Sequence, residues 1–219
     1  MRAPAAFLLM VLAAFPGRAV ADISASSARF LGARYLLDPL GEGSGRDADP
    51  LVRFDAFDCL TFIETVLALE LGRELSSIRY KGGRVGFASR NHFLSADWLA
   101  NNADIVRDIT RDLGVPFAYR NTVIDRRNWF LRTHRLIVQA APARVDSFYI
   151  VKMDLSAYRE KLIASITVPL LAAFVQADEG LEEKIGTDLV YSHIGFLIPG
   201  GESLVLRHAS SSAGRVVDM

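Results

Sequence analysis

The chain holds a single cysteine, Cys59, among its 219 residues, so no disulfide can close within it. It also lacks any Gly-x-Ser-x-Gly pentapeptide, which removes the serine nucleophile of that elbow motif. Cys-x-x-Cys and His-x-x-x-His pairs are missing as well, so metal sites built on closely spaced ligands are not encoded. There is no excess of charge: 25 basic and 25 acidic side chains cancel. Nothing then draws the whole molecule toward phosphate backbones or anionic membranes, which argues against nucleic acid as a partner. Repeats, low-complexity tracts and long charge blocks are absent too.

What is present is enough for a core. Hydrophobic residues make up 51% and charged residues 23%, a balance that buries enough apolar surface to offset ordering entropy. Met1 and Arg2 precede an apolar run from Ala3 to Phe15, and Ala19-Val20-Ala21 offers a small-x-small cleavage site before Asp22. All three regions of a secretory signal are there. A membrane span needs about 20 apolar residues, and Pro16, Gly17 and Arg18 end this run too early. The expectation is a leader over residues 1–21, a single domain over 22–219, no stable membrane insertion after cleavage, and export, to a periplasm above all. In an oxidising compartment an unpaired thiol is either a buried small hydrophobe or a reactive group, and the count leaves both readings open.

Residues 38–50 are rich in Gly, Asp and Pro and predict a surface loop after an early helical segment near Ala28 to Leu36. Leu60, Ile63, Leu67 and Leu71 recur at helical spacing, and Phe62, Val66 and Leu69 widen the stripe, so a buried helix is predicted from about Cys59 to Leu71. Asp55 or Asp58 is its N-cap and Gly72 its stop. A hairpin is expected around Gly82-Gly83, loose helix over Asp97 to Leu113, a strand over Val145 to Leu155, and helices from Tyr158 to Glu183 broken at Pro169. Leu189 to Ile198, Ser203 to Ala209 and Arg215 to Val217 are β-rich and punctuated by Pro199-Gly200-Gly201 and Gly214, as in consecutive antiparallel strands. Helices first and strands last predict an α+β domain.

A cysteine in the first turn of a helix meets unpaired N–H groups and the positive end of the helix dipole, both of which favour thiolate. A thiolate nucleophile needs an imidazole to handle its proton, and that imidazole needs a third polar group to fix its ring. His193 and His208 lie on neighbouring β-rich runs. A turn near residue 200 would bring them opposite or nearly so. His134, between Arg132 and Arg135, is expected to face solvent, and His92 to make a structural hydrogen bond.

At this point the residues resemble a family. Phe30-Leu31-Gly32 with Tyr35, Phe57-Asp58-Cys59-Leu60-Thr61-Phe62-Ile63-Glu64, Arg79-Tyr80-Lys81-Gly82-Gly83, Ser89-Arg90-Asn91-His92-Phe93 with Asp97-Trp98, Ser192-His193-Ile194-Gly195-Phe196 and His208-Ala209-Ser210-Ser211 are similar, in order, to the motifs of bacterial N-acetylmuramoyl-L-alanine amidase-like proteins. These belong to the NlpC-type branch of papain-like cysteine peptidases and amidases. The resemblance implies a papain-like α+β fold, with N-terminal helices and the nucleophile at the start of a buried helix packed on a C-terminal antiparallel sheet. It implies Cys59 as nucleophile, His193 as general base and acid, and His208 as the residue orienting it. Tyr35, Asp58, Asp97 and Trp98 would line the substrate cleft. The implied substrates are soluble anhydro-muropeptides from peptidoglycan, cut between the muramic lactyl group and L-alanine, with no cofactor or metal. One motif departs: Glu183 to Val190 stands where the family has Gly-Asp-Ile. Three alternatives stay open, namely a peptidoglycan endopeptidase of the same fold, a non-catalytic wall-binding module, and a zinc site built from Cys59, His193, His208 and His92.

Overall fold

The computed structural model describes residues 8–14, 22–139, 144–151, 155–175, 181–189 and 191–219. Leu8–Ala14 is strand β1 and Ile23–Ala28 helix α1, capped by the Asp22 carboxylate, which accepts the Ala25 N–H at 2.9 Å. Strands β2 (Arg34–Tyr35) and β3 (Ala56–Phe57) pair in parallel, so Tyr35 lies opposite Phe57. Helix α2 follows at once as Cys59–Leu71. Its start is fixed by a reciprocal cap: the Asp58 carboxylate accepts the Thr61 N–H at 2.7 Å while the Thr61 hydroxyl accepts the Asp58 N–H at 2.9 Å. Gly72, at φ 59°, supplies the left-handed residue that ends it. Of the two candidate caps, Asp58 therefore does the work, and Asp55 instead binds Arg34 and Arg53.

Helix α3 (Leu75–Arg79) runs into a 3-10 turn at Lys81–Gly83, and a π-helical turn at Leu94–Trp98 into α4 (Leu99–Asn101). Then come β4 (Val106–Asp108), β5 (Phe117–Ile124), α5 (Arg126–His134), β6 (Arg144–Val151), α6 (Leu155–Ser165), β7 (Leu170–Val175), α7 (Leu181–Ile185), β8 (Tyr191–Pro199), β9 (Leu204–Ser210) and β10 (Arg215–Asp218). The described strands form one sheet in the order β3-β2-β10-β9-β8-β7-β1-β6-β5, with β4 beside β1. Only the β2–β3 pair is parallel.

α2 is the buried element that the sequence predicts. Phe62, Ile63, Val66 and Leu67 are fully enclosed, in one core with Ile194, Phe196, Ala209 and Val216 of the C-terminal strands. Phe62 meets Phe196 edge to face at 5.7 Å between centroids. Burying one such side chain stabilises by roughly 1.5–3 kcal/mol, so this face anchors the helix that begins at Cys59 to the strands that carry His193 and His208. The class is α+β. No described helix is long and apolar enough to cross a membrane.

Several local expectations are corrected. The helical segment placed at 28–36 ends at Ala28 and gives way to β2. The hairpin around Gly82-Gly83 shrinks to a single bridge, Tyr80 with Arg90, because α3 and the 3-10 turn take its first arm. Residues 97–113 hold a π turn, a short helix, β4 and a 3-10 turn rather than loose helix. Leu170–Val175, expected as helix, is β7, since between β8 and β1 a short apolar run pairs on both edges. The apolar run read as the core of a leader contributes β1; the cleavage site at 19–21 lies outside the described residues. The loop at 38–50 is no loose linker, because Leu40 is fully buried and Asp38, Glu42 and Asp47 converge on Arg90.

Candidate active site

Cys59 is the first residue of α2 and a free thiol, partly buried against the main core. The backbone N–H groups of Ile194, Leu60 and Cys59 itself pull its thiol downward. They favour thiolate, as the helix start predicts. Burial outweighs them, with Asp58 next in effect, and pushes the thiol up to about 12. Desolvation thus works against the ionised sulfur expected from the helix start.

His193 precedes Ile194 on β8, and Ile194 belongs to the core against which Cys59 packs. Nε2 of His193 lies 2.6 Å from Nδ1 of His208. Strands β8 and β9 pair from Pro199↔Leu204 to Phe196↔Arg207. The two rings meet beyond that point, edge to face at 4.7 Å between centroids. Burial first, then His208, lowers His193 to about 4, and burial lowers His208. Both shifts favour the neutral ring over the imidazolium.

Gly195 makes room for this contact. A Cβ built there would stand 2.7 Å from Leu206 Cδ1, 3.0 Å from His208 Cβ and 3.1 Å from the Arg207 carbonyl oxygen. The bare backbone lets His208 lean against β8.

Tyr35 is brought in by the β2–β3 pair. Its hydroxyl is raised by burial, then by Cys59 and Asp58, which sets the ring within electrostatic reach of Cys59. Asp58 is beside Cys59, with its carboxylate engaged in the helix cap. Asp97 and Trp98 depart from expectation. Asp97 is buried, holding Arg126 at 2.7 Å and Lys81 at 3.5 Å, and Trp98 is fully enclosed, donating its indole N–H to Glu64 at 3.0 Å. Neither presents surface to a cleft: an apolar ring and a paired carboxylate are more stable inside.

Glu64 and Arg79 were not singled out by sequence. Glu64 sits on α2 and pairs with Arg79 at 2.9 Å, with both side chains almost wholly buried. Arg79 also donates to the Leu40 carbonyl at 2.6 Å, tying the 38–50 loop to α2. A carboxylate at Glu64, set among the apolar positions Phe62, Ile63, Val66 and Leu67 of a buried helix, is the signal that could have found the pair.

His92 and His134 join an aromatic cluster with Phe87 and Trp129 instead of the sulfur. His92 Nε2 meets the Phe87 carbonyl at 2.7 Å, and burial lowers it to about 3. His134, expected to face solvent, packs its ring 4.6 Å from Trp129. Among the described residues no three His, Cys, Asp or Glu side chains gather as a metal site.

Residues 25–219 match the AmiA-like family, described as N-acetylmuramoyl-L-alanine amidase-like. Among solved structures the chain is similar to a Legionella pneumophila protein, at 28% identity over 90% of this chain and 80% of that one, with a TM-score of 0.77. It is also similar to two structures of an N-acetylmuramoyl-L-alanine amidase from Bacteroides uniformis, at 18% and 20% identity over 90% of this chain and 88% and 89% of those, with TM-scores of 0.57 and 0.58. At that identity the Bacteroides likeness is one of fold. No curated protein matches.

Proposed function

Because the chain belongs to the N-acetylmuramoyl-L-alanine amidase-like family, we propose that it is a cysteine amidase that hydrolyses the bond between the muramic lactyl carbonyl and L-alanine in soluble anhydro-muropeptides. The observation that carries this reading is the 2.6 Å contact of His193 with His208, on strands packed in one core with the helix that begins at Cys59. A nucleophile, a base and an orienting group are the minimum for acyl transfer.

In this cycle His193 takes the thiol proton at Nδ1 as Cys59 Sγ attacks the carbonyl carbon. Its Nε2 then carries hydrogen and donates to His208 Nδ1, which fixes the ring. The Cys59 backbone N–H is the nearest donor for the developing oxyanion, and one such donor is worth about 10²–10³ in rate. The tetrahedral centre collapses as the imidazolium gives its proton to the departing alanine nitrogen, leaving a thioester and a free amine. Water, deprotonated by His193, then attacks the thioester, and the products are the lactyl carboxylate and the restored thiol.

We read the fold as the NlpC-type papain-like one, and the chain as exported with residues 1–21 as leader. N-terminal sequencing of exported protein should begin at Asp22; a product that keeps Met1 would overturn the export reading. Product mass spectrometry after incubation with anhydro-muropeptides tests the reaction. Free L-alanyl peptide together with intact anhydro-sugar acid is expected, and none is expected from Cys59→Ala. Cleavage within the peptide would favour an endopeptidase instead.

A further inference from the structure

A cavity of about 680 Å³ is lined by the turn that begins at Lys81 and by the segment that runs out of α5. None of Cys59, His193 and His208 lines it. Three cationic side chains do, those of Lys81, Arg84 and Arg126, and the described lining holds no Asp or Glu. The chain is neutral overall, yet residues 81–96 and 126–139, which supply this lining, contain no acidic residue at all. The surplus is local.

One carboxylate answers it in part. Asp97, almost wholly buried, holds Arg126 at 2.7 Å and Lys81 at 3.5 Å. Arg84 is exposed and forms no ion pair among the described residues. Three positive charges against one negative leave two unanswered. They are also held together. Gly82 and Gly83, at φ 57° and 71°, make the turn between Lys81 and Arg84, whose N–H donates to the Lys81 carbonyl at 3.2 Å, and the Gly82 N–H donates to Asn101 Oδ1 at 3.1 Å. Like charges fixed side by side repel, and an anion that enters between them relieves the repulsion and takes charge-assisted hydrogen bonds.

The size of the surplus selects the anion. A further carboxylate would cancel half of it, whereas a phosphate monoester carries about −1.5 to −2 charge at pH 7 on three acceptor oxygens. The remaining wall selects what bears the phosphate. Leu136, Ile137 and Val138 line the same cavity, and Ile137 is 87% exposed, so an alkyl chain laid over them removes apolar surface from water. The volume lies within the range of about 300–1,000 Å³ that small-molecule sites occupy.

We propose that this cavity binds a phosphate monoester carried on an apolar chain, with the phosphate at Lys81 and Arg84 and the chain over Leu136, Ile137 and Val138. Asp97 then acts as a buried strut that positions two of the three cations. A free amphiphile and the headgroup of an anionic lipid present the same chemistry to this site. The inference stands apart from the amidase reading, because the cavity shares no residue with the catalytic constellation.

The test is calorimetric titration of the full chain at neutral pH with hexyl phosphate, hexanoate and inorganic phosphate. Hexyl phosphate should bind at least about tenfold more tightly than either of the others, and its affinity should fall as salt is raised. Equal affinity for hexyl phosphate and hexanoate would overturn the assignment to a phosphate, equal affinity for hexyl and inorganic phosphate would overturn the apolar wall, and no binding would overturn the site. The double variant Lys81→Gln with Arg84→Gln should weaken hexyl phosphate at least about tenfold, and Ile137→Ser should weaken it several-fold while inorganic phosphate binds as before. These three positions are exposed, and a thermal melt verifies folding. Unchanged binding by the folded variants would overturn the proposal. Sedimentation with phosphatidylcholine vesicles containing phosphatidic acid separates the two sources. Capture that the double variant loses assigns the site to a lipid headgroup, and hexyl phosphate binding without capture assigns it to a free amphiphile. Capture and hexyl phosphate binding that both survive the double variant would sink the site.

Discussion

Gly195 stands where a side chain would strike His208: a methyl group there would lie 3.0 Å from His208 Cβ and 3.1 Å from the Arg207 carbonyl oxygen. The tip of Leu206, at 2.7 Å, can rotate away, but the β9 backbone cannot. The 2.6 Å contact between His193 and His208 thus depends on an absent side chain.

Gly195→Ala is accordingly expected to shift His208 by a few tenths of an ångström and to lower kcat by about 10- to 100-fold with KM little changed, since small misplacements of catalytic groups are costly. Steady-state kinetics beside a thermal melt checks it. A kcat within twofold of the unaltered protein would show that the contact tolerates the methyl.

His208→Ala should cost about 10²–10⁴ in kcat, as removal of an orienting residue does elsewhere, while His208→Asn should recover part of it by offering an acceptor to His193. Equal rates for the two variants would remove His208 from the orienting role.

The resting thiol has a pH signature. His193, lowered to about 4, remains able to accept a proton well below neutrality, so the acid limb of kcat/KM should fall near pH 4 instead of near 6.5. Iodoacetamide should alkylate Cys59 more slowly at pH 7 than it does an ordinary free thiol and accelerate only in alkali, given a thiol raised to about 12. An acid limb near 6.5 with rapid alkylation would establish an ion pair instead.

Stability should follow the same groups. Between about pH 6.5 and 4 the unfolded chain binds a proton on His193 that the folded chain refuses, so stability rises with pH across that window. For Cys59 the sign reverses: above about pH 9 the unfolded thiol ionises while the folded one keeps its proton, so stability declines from about 9 toward 12. Urea midpoints measured from pH 4 to 10 read both slopes, and a flat profile at either end would contradict the corresponding shift.

Arg79→Ala leaves the Glu64 carboxylate buried without its partner and should destabilise by about 3–5 kcal/mol; the double variant Glu64→Met with Arg79→Met should recover much of that. Urea denaturation decides, and a loss under about 1 kcal/mol for Arg79→Ala would mean that water reaches Glu64.

Where α2 begins and ends was legible because those signals are local: Asp58 binds a residue three positions on, and Gly72 alone accepts the left-handed turn at little cost. The C-terminal strands and their turn were readable for the same reason, as was the meeting of His193 and His208 across a short hairpin. Leu170–Val175 was not, since six apolar residues fit helix or strand equally and only β8 and β1 alongside decide. Asp97 and Trp98 look like cleft residues in a motif, yet their partners Arg126, Lys81 and Glu64 are distant in sequence.

The residues themselves, then, determined the class of fold, the helix that presents Cys59 and the two imidazoles able to serve it. Packing alone decided that burial raises the Cys59 thiol and that Glu64 and Arg79 are locked together inside the core. Caps and periodicities act over three or four residues and are written in order along the chain. Desolvation and buried charge are sums over everything that surrounds a group, and they exist only once the chain has folded.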